Sequence, residues 1–202
     1  MFYVAPQLLV MQGAHKYASD THPFHIGLEQ GREAMATFYA EFAPENLCEM
    51  YLLDKSGLTG EDLAPWEVPW LWRERKAPKG EGGLKPGDGV SFFGPCTPRK
   101  VDLEMRRLTE TVSSIRKKGY LPDTHGHIEG YFLQRDDEYR FFVLGGKHRA
   151  ASLCHLEARR VPVKLRKNCP RVVRREDAAN WPLVRSGDID IELARKIFDT
   201  YF

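Results

Sequence analysis

Three cationic or titratable residues follow a glycine pair at the junction between an apolar strand and an apolar helix, in the segment FVLGGKHRAA (residues 142–151). The start of a helix presents unpaired N–H groups and the positive end of the helix dipole. Glycines let a ligand approach the backbone closely. His148 can add a switchable donor and Arg149 a bidentate one. We therefore predict a phosphate or nucleotide site formed by Gly145, Gly146, Lys147, His148 and Arg149.

Phosphoryl transfer at this turn would also need a carboxylate that binds a metal ion or acts as a base. Three carboxylates are candidates because they lie near the ends of elements expected to flank the turn: Glu104, Asp123 and Glu129. No spacing singles out one of them. We predict that His148 acts in catalysis together with Asp123 or Glu104.

A second pair of titratable groups is His125-Gly126-His127. On an extended segment both imidazoles would point to one face. They would then donate hydrogen bonds to a substrate phosphate, or would form a three-histidine metal site together with His148. A polar loop entering a strand explains the pair equally simply. We favour weak substrate contacts for His125 and His127 and predict no metal site.

The composition of the 202-residue chain is that of a packed globular protein, with 42% hydrophobic and 29% charged residues. This length suits one substantial core, alone or with an added lobe. The four cysteines form no C-x-x-C pair, so no zinc knuckle or dithiol motif is indicated. The first 17 residues have no basic region with a cleavage site, and no apolar run approaches the ~18 residues of a membrane span. We expect a cytoplasmic protein with reduced thiols and no membrane contact.

Positive charge is unevenly distributed along the chain. Residues 158–175 contain eight basic residues and no acidic one, which leaves 22 basic against 28 acidic residues elsewhere. Such asymmetry suggests a phosphate-bearing partner. A solvated face whose arginines pair with acids elsewhere is the alternative. Nucleic acid, if bound, is expected to contact the run from Arg159 to Arg175.

Hydrophobic periodicity predicts the elements around the turn. The predicted helices are residues 24–42, stopped by Pro44; residues 102–119, capped by Asp102 and ended by Gly119; residues 146–157; and a last helix that begins at Asp188 or Asp190 and runs through Phe198. The predicted strands are residues 90–94, 127–133, 138–144 and 161–165, with a hairpin connection at residues 134–137. The order strand, helix, strand, strand, helix, strand predicts a mixed α/β (α+β) core.

The chain divides into four regions by composition. We predict a mainly helical N-terminal region (1–75), a linker or mobile loop rich in Gly, Pro and Lys (76–89), an α/β core (90–168) and a C-terminal helical extension (169–202). The N-terminal region contains a tryptophan cluster, Trp66, Trp70 and Trp72. This cluster either buries area in the core or stacks on a ligand and shapes a substrate pocket.

The segment GKHRAA (residues 146–151), between an apolar strand and the strand that begins Val161-Pro162-Val163, resembles the G-x-H-R-x-A signature of the ParB/sulfiredoxin-like superfamily. The preceding segment TETVSSIRKKG (residues 109–119) is similar to the helix that leads into that family's central strands. The resemblance covers residues 92–166. It implies a compact α/β fold whose G-x-H-R turn holds the phosphates of a nucleotide.

Departures from the family pattern narrow what the resemblance implies. Sulfiredoxins carry a cysteine immediately before the histidine, where this chain has Lys147, so that nucleophile is missing. Partition proteins carry arginine in place of the histidine and continue into a helix-turn-helix, whereas residues 166–202 here are interrupted by Trp181-Pro182.

The resemblance then implies a nucleotide-binding protein, namely a kinase-like phosphotransferase or a nucleotide hydrolase. It would use ATP, ADP or CTP with Mg²⁺ and a small hydroxyl substrate. The alternative is a non-catalytic, ParB-like module that binds nucleic acid through the basic run from Arg159 to Arg175.

Overall fold

A mixed sheet lies at the centre of the fold, as the order of the predicted elements indicates. The structure is a computed structural model that describes residues 1–71 and 84–202. Within these residues the sheet has six strands in the order β1-β5-β3-β4-β2, and β6 also pairs with β3. The strands are β1 (Phe2–Val4), β2 (Leu9–Val10), β3 (Ile128–Arg135), β4 (Glu138–Gly145), β5 (Val161–Leu165) and β6 (Val172–Arg174).

Helices pack around this sheet. They are α1 (Pro23–Gln30), α2 (Arg32–Glu41), α3 (Leu47–Met50), α4 (Pro98–Lys118), α5 (Pro122–His125), α6 (Lys147–His155), α7 (Pro182–Arg185) and α8 (Ile191–Asp199). Asp190 caps α8, as predicted, by accepting a hydrogen bond from the N–H of Glu192 at 2.7 Å. In the described part of the chain, no helix has the length and apolar character needed to cross a membrane.

The hairpin β3–β4 confirms the two predicted central strands. These strands pair antiparallel from Arg135 opposite Glu138, and Asp136 in the tight turn has a φ of 51°. Tyr131 and Phe142 are cross-strand partners whose rings stack with centroids 5.0 Å apart. The predicted strand at residues 161–165 is also confirmed as β5, which runs parallel to β3.

The helix predicted over residues 24–42 is broken into α1 and α2. The break lies at Gly31, whose φ of 92° and ψ of −177° are not helical. The apolar spacing continues across the break, since Met35 and Tyr39 of α2 are buried. Periodicity alone therefore predicted one helix where the glycine backbone allows a bend between two.

The helix predicted to begin at Asp102 begins earlier, at Pro98. Thr97 is its N-cap, and proline favours the first helical position. Asp102 lies in the second turn and accepts a hydrogen bond from Arg32 Nε at 2.6 Å. The predicted end at Gly119 is confirmed, with a φ of 76°.

Residues 90–94 do not form the predicted strand. Their backbone groups bind partners outside the sheet: the carbonyl of Phe92 is 2.9 Å from His15 Nε2, and the N–H of Gly94 donates to the carbonyl of Phe42 at 2.7 Å. Phe92 is nevertheless buried. The apolar run therefore packs into the core as an irregular segment. Hydrogen bonds outside the sheet satisfy the backbone groups of Phe92 and Gly94.

The sheet and the core extend across the predicted regions. Strands β1 and β2 come from the region predicted to be mainly helical, and β6 comes from the predicted C-terminal extension. Trp70 packs edge-on against Phe142 of β4 and Phe198 of α8. Of the predicted linker, residues 76–83 lie outside the described residues, and Pro86–Asp88 form a 3-10 turn.

Candidate functional site

The glycine turn joins β4 to α6 as predicted. Gly146 is the N-cap of α6, with a left-handed φ of 76° and ψ of 28°, and no side chain of the described residues caps the helix there. A Cβ built on Gly146 would lie 3.0 Å from the carbonyl oxygen of His127. Glycine is therefore required at this position. The first-turn N–H groups of α6 point out of the helix and suit an anion.

Arg149 forms hydrogen bonds to backbone carbonyls, and it also lines a surface groove beside the turn. Its guanidinium donates to the carbonyl of His125 and, at 3.2 Å, to the carbonyl of His127. Gly126 lies against the same guanidinium, since a Cβ built there would be 3.4 Å from Nη1. Arg149 therefore holds residues 125–127 against the start of α6, a role that the sequence did not suggest.

His148 is held by a buried carboxylate. Its Nε2 contacts Oε2 of Glu104, whose side chain is 0% exposed on α4. The other oxygen of Glu104 is 2.5 Å from Lys100 Nζ and accepts a hydrogen bond from Ser91 Oγ at 3.2 Å. Burial raises the pKa of Glu104, but the hydrogen bonds and charges of His148 and Lys100 outweigh it and lower the pKa to about 2. Glu104 is thus ionised.

The contact with Glu104 determines which ring nitrogen of His148 can accept a proton from a ligand. If Nε2–H donates to Glu104, Nδ1 carries the lone pair and can accept a proton. The imidazole also stacks on Phe24 of α1, with ring centroids 4.7 Å apart. Because Glu104 is fully buried and bound on both oxygens, it positions His148 rather than contacting a ligand.

The other two predicted carboxylates lie on α5 and β3. Asp123 is 92% exposed on α5, with Oδ1 3.3 Å from His127 Nε2. Glu129 is the cross-strand partner of Gly145 and is half-buried. His125 lines a groove of about 330 Å³ beside Arg149.

The three-histidine metal site has no support in the structure. His127 lies beside Asp123, and His148 is bound to Glu104. Across residues 1–71 and 84–202, no group of three or more His, Cys, Asp or Glu side chains is arranged to hold a metal ion.

Two depressions meet at Lys147. A groove of about 280 Å³ between α4 and the start of α6 is lined by Arg107, Glu110, Thr111 and residues 146–149. On the other side, a cavity of about 550 Å³ is lined by Lys147 together with Trp66, Phe92, Arg166 and Lys167, among others. Lys147 Nζ lies 4.8 Å from the centroid of the Phe92 ring. Lys147 thus borders both spaces.

Arg107, Glu110 and Arg166 are among the lining residues that were not predicted for the site. Arg107 and Glu110 lie three and six positions after Glu104, so helical spacing would have placed Arg107 near the same face. Arg166 was assigned only to the basic run. Its N–H donates to the carbonyl of Gly130 at 2.8 Å, and its guanidinium lies beside Gly145, where a Cβ would be 3.2 Å from Nη1.

The tryptophan cluster has more than one role. Trp70 is 2% exposed, and its Nε1–H donates to Tyr131 Oη at 2.9 Å, so it belongs to the core. Trp66 is half-buried and lines the cavity beside Lys147. Trp72 lies outside the described residues. Within the described residues, the cluster therefore belongs partly to the core and partly to the lining of the cavity.

Two buried histidines, His15 and His22, lie close to the site. His22 accepts a hydrogen bond at Nδ1 from the N–H of Phe24 at 3.1 Å, and its ring lies 6.2 Å from that of His15. Burial lowers the pKa of His15 to about 4 despite its hydrogen bond to Phe92. Burial, helped by the charges of His15, His25 and Lys147, lowers the pKa of His22 well below 6.5. Both rings are therefore neutral in the folded protein.

No protein-family model matches the chain, and no curated protein matches it. The resemblance to the ParB/sulfiredoxin-like superfamily therefore remains a prediction from the motif at residues 146–151.

We expect Glu104→Gln to lower the free energy of unfolding by roughly 3–5 kcal/mol, because it leaves the charge of Lys100 buried without its carboxylate. The double variant Lys100→Met with Glu104→Gln should be more stable than the single one, since it removes that charge. Urea unfolding measures both. Glu110→Gln, exposed on the same helix, is the control and should change stability by no more than about 0.5 kcal/mol. A loss below about 1 kcal/mol in Glu104→Gln contradicts the buried pairing.

We expect stability to fall as the pH drops from 7 to 5. The unfolded chain takes up protons below its histidine pKa of about 6.5, while His15 and His22 stay neutral when folded, so each should cost about 2 kcal/mol over this range. The contribution of Glu104 is lost only below about pH 4.5, outside this window. Urea unfolding at pH 7, 6 and 5 should show a shallower decline in His15→Gln. The exposed control His125→Gln should keep the wild-type decline, and an equal decline in all three proteins contradicts this assignment.

Proposed function

We propose that the chain binds the phosphates of a nucleotide at the start of α6 and transfers or hydrolyses its terminal phosphoryl group. The observation that carries this proposal is the placement of the uncapped helix start between two depressions with cationic linings. The cations of the groove at the helix start are Arg107, Lys147 and Arg149. Helix N–H groups and guanidinium groups are the donors that phosphates prefer.

The residues that line the groove have the chemistry needed to hold phosphates and Mg²⁺. The first-turn N–H groups of α6, with Arg107, would hold phosphate oxygens. Glu110 is an exposed carboxylate in the groove and would hold Mg²⁺ beside Thr111. When bound, Mg²⁺ would neutralise charge on the phosphates. The buried Glu104 is not free for this task, since both its oxygens are bound.

His148 is the proposed general base. An acceptor hydroxyl oxygen would form the new bond to the terminal phosphorus, while the bond from phosphorus to the bridging oxygen of the nucleotide breaks and its electron pair leaves with that oxygen. The hydroxyl proton would go to Nδ1 of His148, and Glu104 would stabilise the cation that forms. With water as the acceptor, the same steps amount to hydrolysis.

The nucleotide would be ATP, ADP or CTP, and the acceptor a small hydroxyl compound. The motif's resemblance to the ParB/sulfiredoxin-like superfamily supports nucleotide binding at this turn. The four cysteines are free, which suits the reducing cytoplasm in which we propose that the protein acts.

We expect at least one of ATP, ADP, CTP and GTP, tested with Mg²⁺, to raise the melting temperature of the wild type, because ligands that bind the folded state stabilise it. Arg107→Gln should weaken binding about tenfold or more, since a charged hydrogen bond to phosphate is lost. Arg106→Gln is the matched control, because Arg106 is exposed on the same helix and does not line the groove. Thermal-shift titration measures these affinities.

Turnover of the bound nucleotide separates an enzyme from a binding protein. ³¹P NMR should show loss of the terminal phosphoryl group in the wild type, slowed about 100-fold in His148→Gln, with nucleotide affinity retained. If no nucleotide and no inorganic phosphate shifts the melting temperature, the proposed site at α6 is rejected.

A second candidate function is a nucleic-acid-binding module. Seven of the eight basic side chains in residues 158–175 are exposed, and only Arg175 is half-buried, paired with Asp199 at 2.6 Å. Strands β5 and β6 lie one after the other along β3, so the run follows one side of that strand. Exposed rings of Phe2 and Tyr139, 42% and 43% accessible, lie near β6 and could stack on bases.

If this second function holds, affinity for single-stranded DNA or RNA should fall steeply between 50 and 200 mM salt, because counterions are released from the phosphates. The variant Arg160→Gln with Arg171→Gln should reduce the slope of log affinity against log salt by about 2. Arg106→Gln with Arg116→Gln, an exposed pair on α4, should leave the slope unchanged. Fluorescence anisotropy measures the slopes, and an absence of binding at 50 mM salt excludes this function.

A further inference from the structure

The cavity beside Lys147 combines a cationic rim with aromatic walls. Its volume is about 550 Å³, which lies within the range of small-molecule sites. Three cationic side chains line it, against one carboxylate, that of the buried Glu67. The cations are Lys147, Arg166 and Lys167. The charge of this lining favours an anion of one or two negative charges.

The aromatic walls suit a flat ring. Trp66 is half-buried, and in residues 1–71 and 84–202 no aromatic ring stacks on its indole. Phe92 is buried and has Lys147 Nζ over its ring at 4.8 Å. An aromatic ligand can stack on an indole face or meet a phenyl edge at 4.5–7 Å between centroids, at about 0.5–1.5 kcal/mol beyond burial of area.

We propose that this cavity binds a small organic anion that carries an aromatic ring. The acid group would pair with Lys167 and Arg166 on the rim, and the ring would lie on Trp66. The identification of this molecule as the acceptor rests on the proposed function. In that role its hydroxyl would point past Lys147, which borders both spaces, into the groove that His148 lines.

The cavity differs from the proposed nucleotide groove in its donors. Gly146, His148 and Arg149 line the groove but not the cavity, so the first turn of α6 serves the groove. Lys147 is the residue that lines both. One ammonium group would therefore lie between two anionic ligands and reduce their repulsion, as phosphoryl transfer between them requires.

Saturation-transfer NMR with 4-hydroxybenzoate on the full chain tests the proposal. We expect binding to the wild type with saturation of the ring protons. 4-Hydroxybenzamide, which lacks the charge, and cyclohexanecarboxylate, which lacks the ring, should each bind about fivefold more weakly or worse. Phenyl phosphate is included to distinguish a phosphate head group from a carboxylate, and stronger binding of either compound supports the proposal.

Two substitutions locate the site. Lys167→Gln should weaken binding about fivefold, and the matched control Lys164→Gln, also an exposed lysine of the basic run, should not change it. Trp66→Leu should weaken binding roughly tenfold through loss of stacking. Melting temperatures show whether each variant is folded, and neither should change nucleotide affinity.

The outcomes separate this inference from the proposed function. Binding of the aromatic anion that is weakened in Lys167→Gln and Trp66→Leu supports the cavity. If no nucleotide binds, the cavity stands and the acceptor role is rejected. If nucleotide binds and neither 4-hydroxybenzoate nor phenyl phosphate does, the inference is overturned and the nucleotide site stands. Binding that is equal in the wild type and both variants also overturns it.

Discussion

The ion pair of Glu104 with Lys100, and the contact of the same carboxylate with His148, constrain the whole site. A fully buried carboxylate is tolerated only when its partners stay in place, because an unpaired charge in the core costs several kcal/mol. Glu104 and Lys100 belong to α4, while His148 belongs to α6. Rotation of α4 by a fraction of a turn would separate Glu104 from His148. The contact between Glu104 and His148 therefore fixes α4 against α6 and sets the width of the groove between them.

The remaining parts of the site follow from this fixed helix pair. Arg107 is three residues after Glu104, so it faces the groove wherever Glu104 faces α6. On the other side of the imidazole, α1 supplies Phe24, and His22 at its N-cap binds the backbone N–H of Phe24. Helix α1 thus supports the start of α6 through the ring of Phe24. Arg149 completes the support by holding the two carbonyls of the loop before β3.

Local patterns predicted the parts of the molecule that depend on neighbouring residues in sequence. The hairpin β3–β4, the glycine turn and the N-cap of α8 were evident because alternation, turn residues and capping residues are short-range signals. The bend at Gly31 was missed because apolar spacing continues through it. Strands of two or three residues, such as β1, β2 and β6, are too short to show alternation. The roles of Arg149 and Arg166 depend on strand order, which places Arg166 beside Gly145 across β3, and no spacing along the chain contains that order.

The pairing of β1 with β5 has a consequence for how the protein is made. Residues 2–4 find their partners in residues 161–163, and the hydroxyls of Tyr51 and Tyr201 meet at 2.8 Å. At about 5–20 residues per second, a ribosome needs roughly 8–30 s to pass from the first strand to its partner. During that time β1 has an unsatisfied edge, and such long-range pairing slows folding. Holdase chaperones would therefore meet a nascent chain in which Val4, buried in the folded protein, is still uncovered, and the sheet closes only after residues 161–163 have been made.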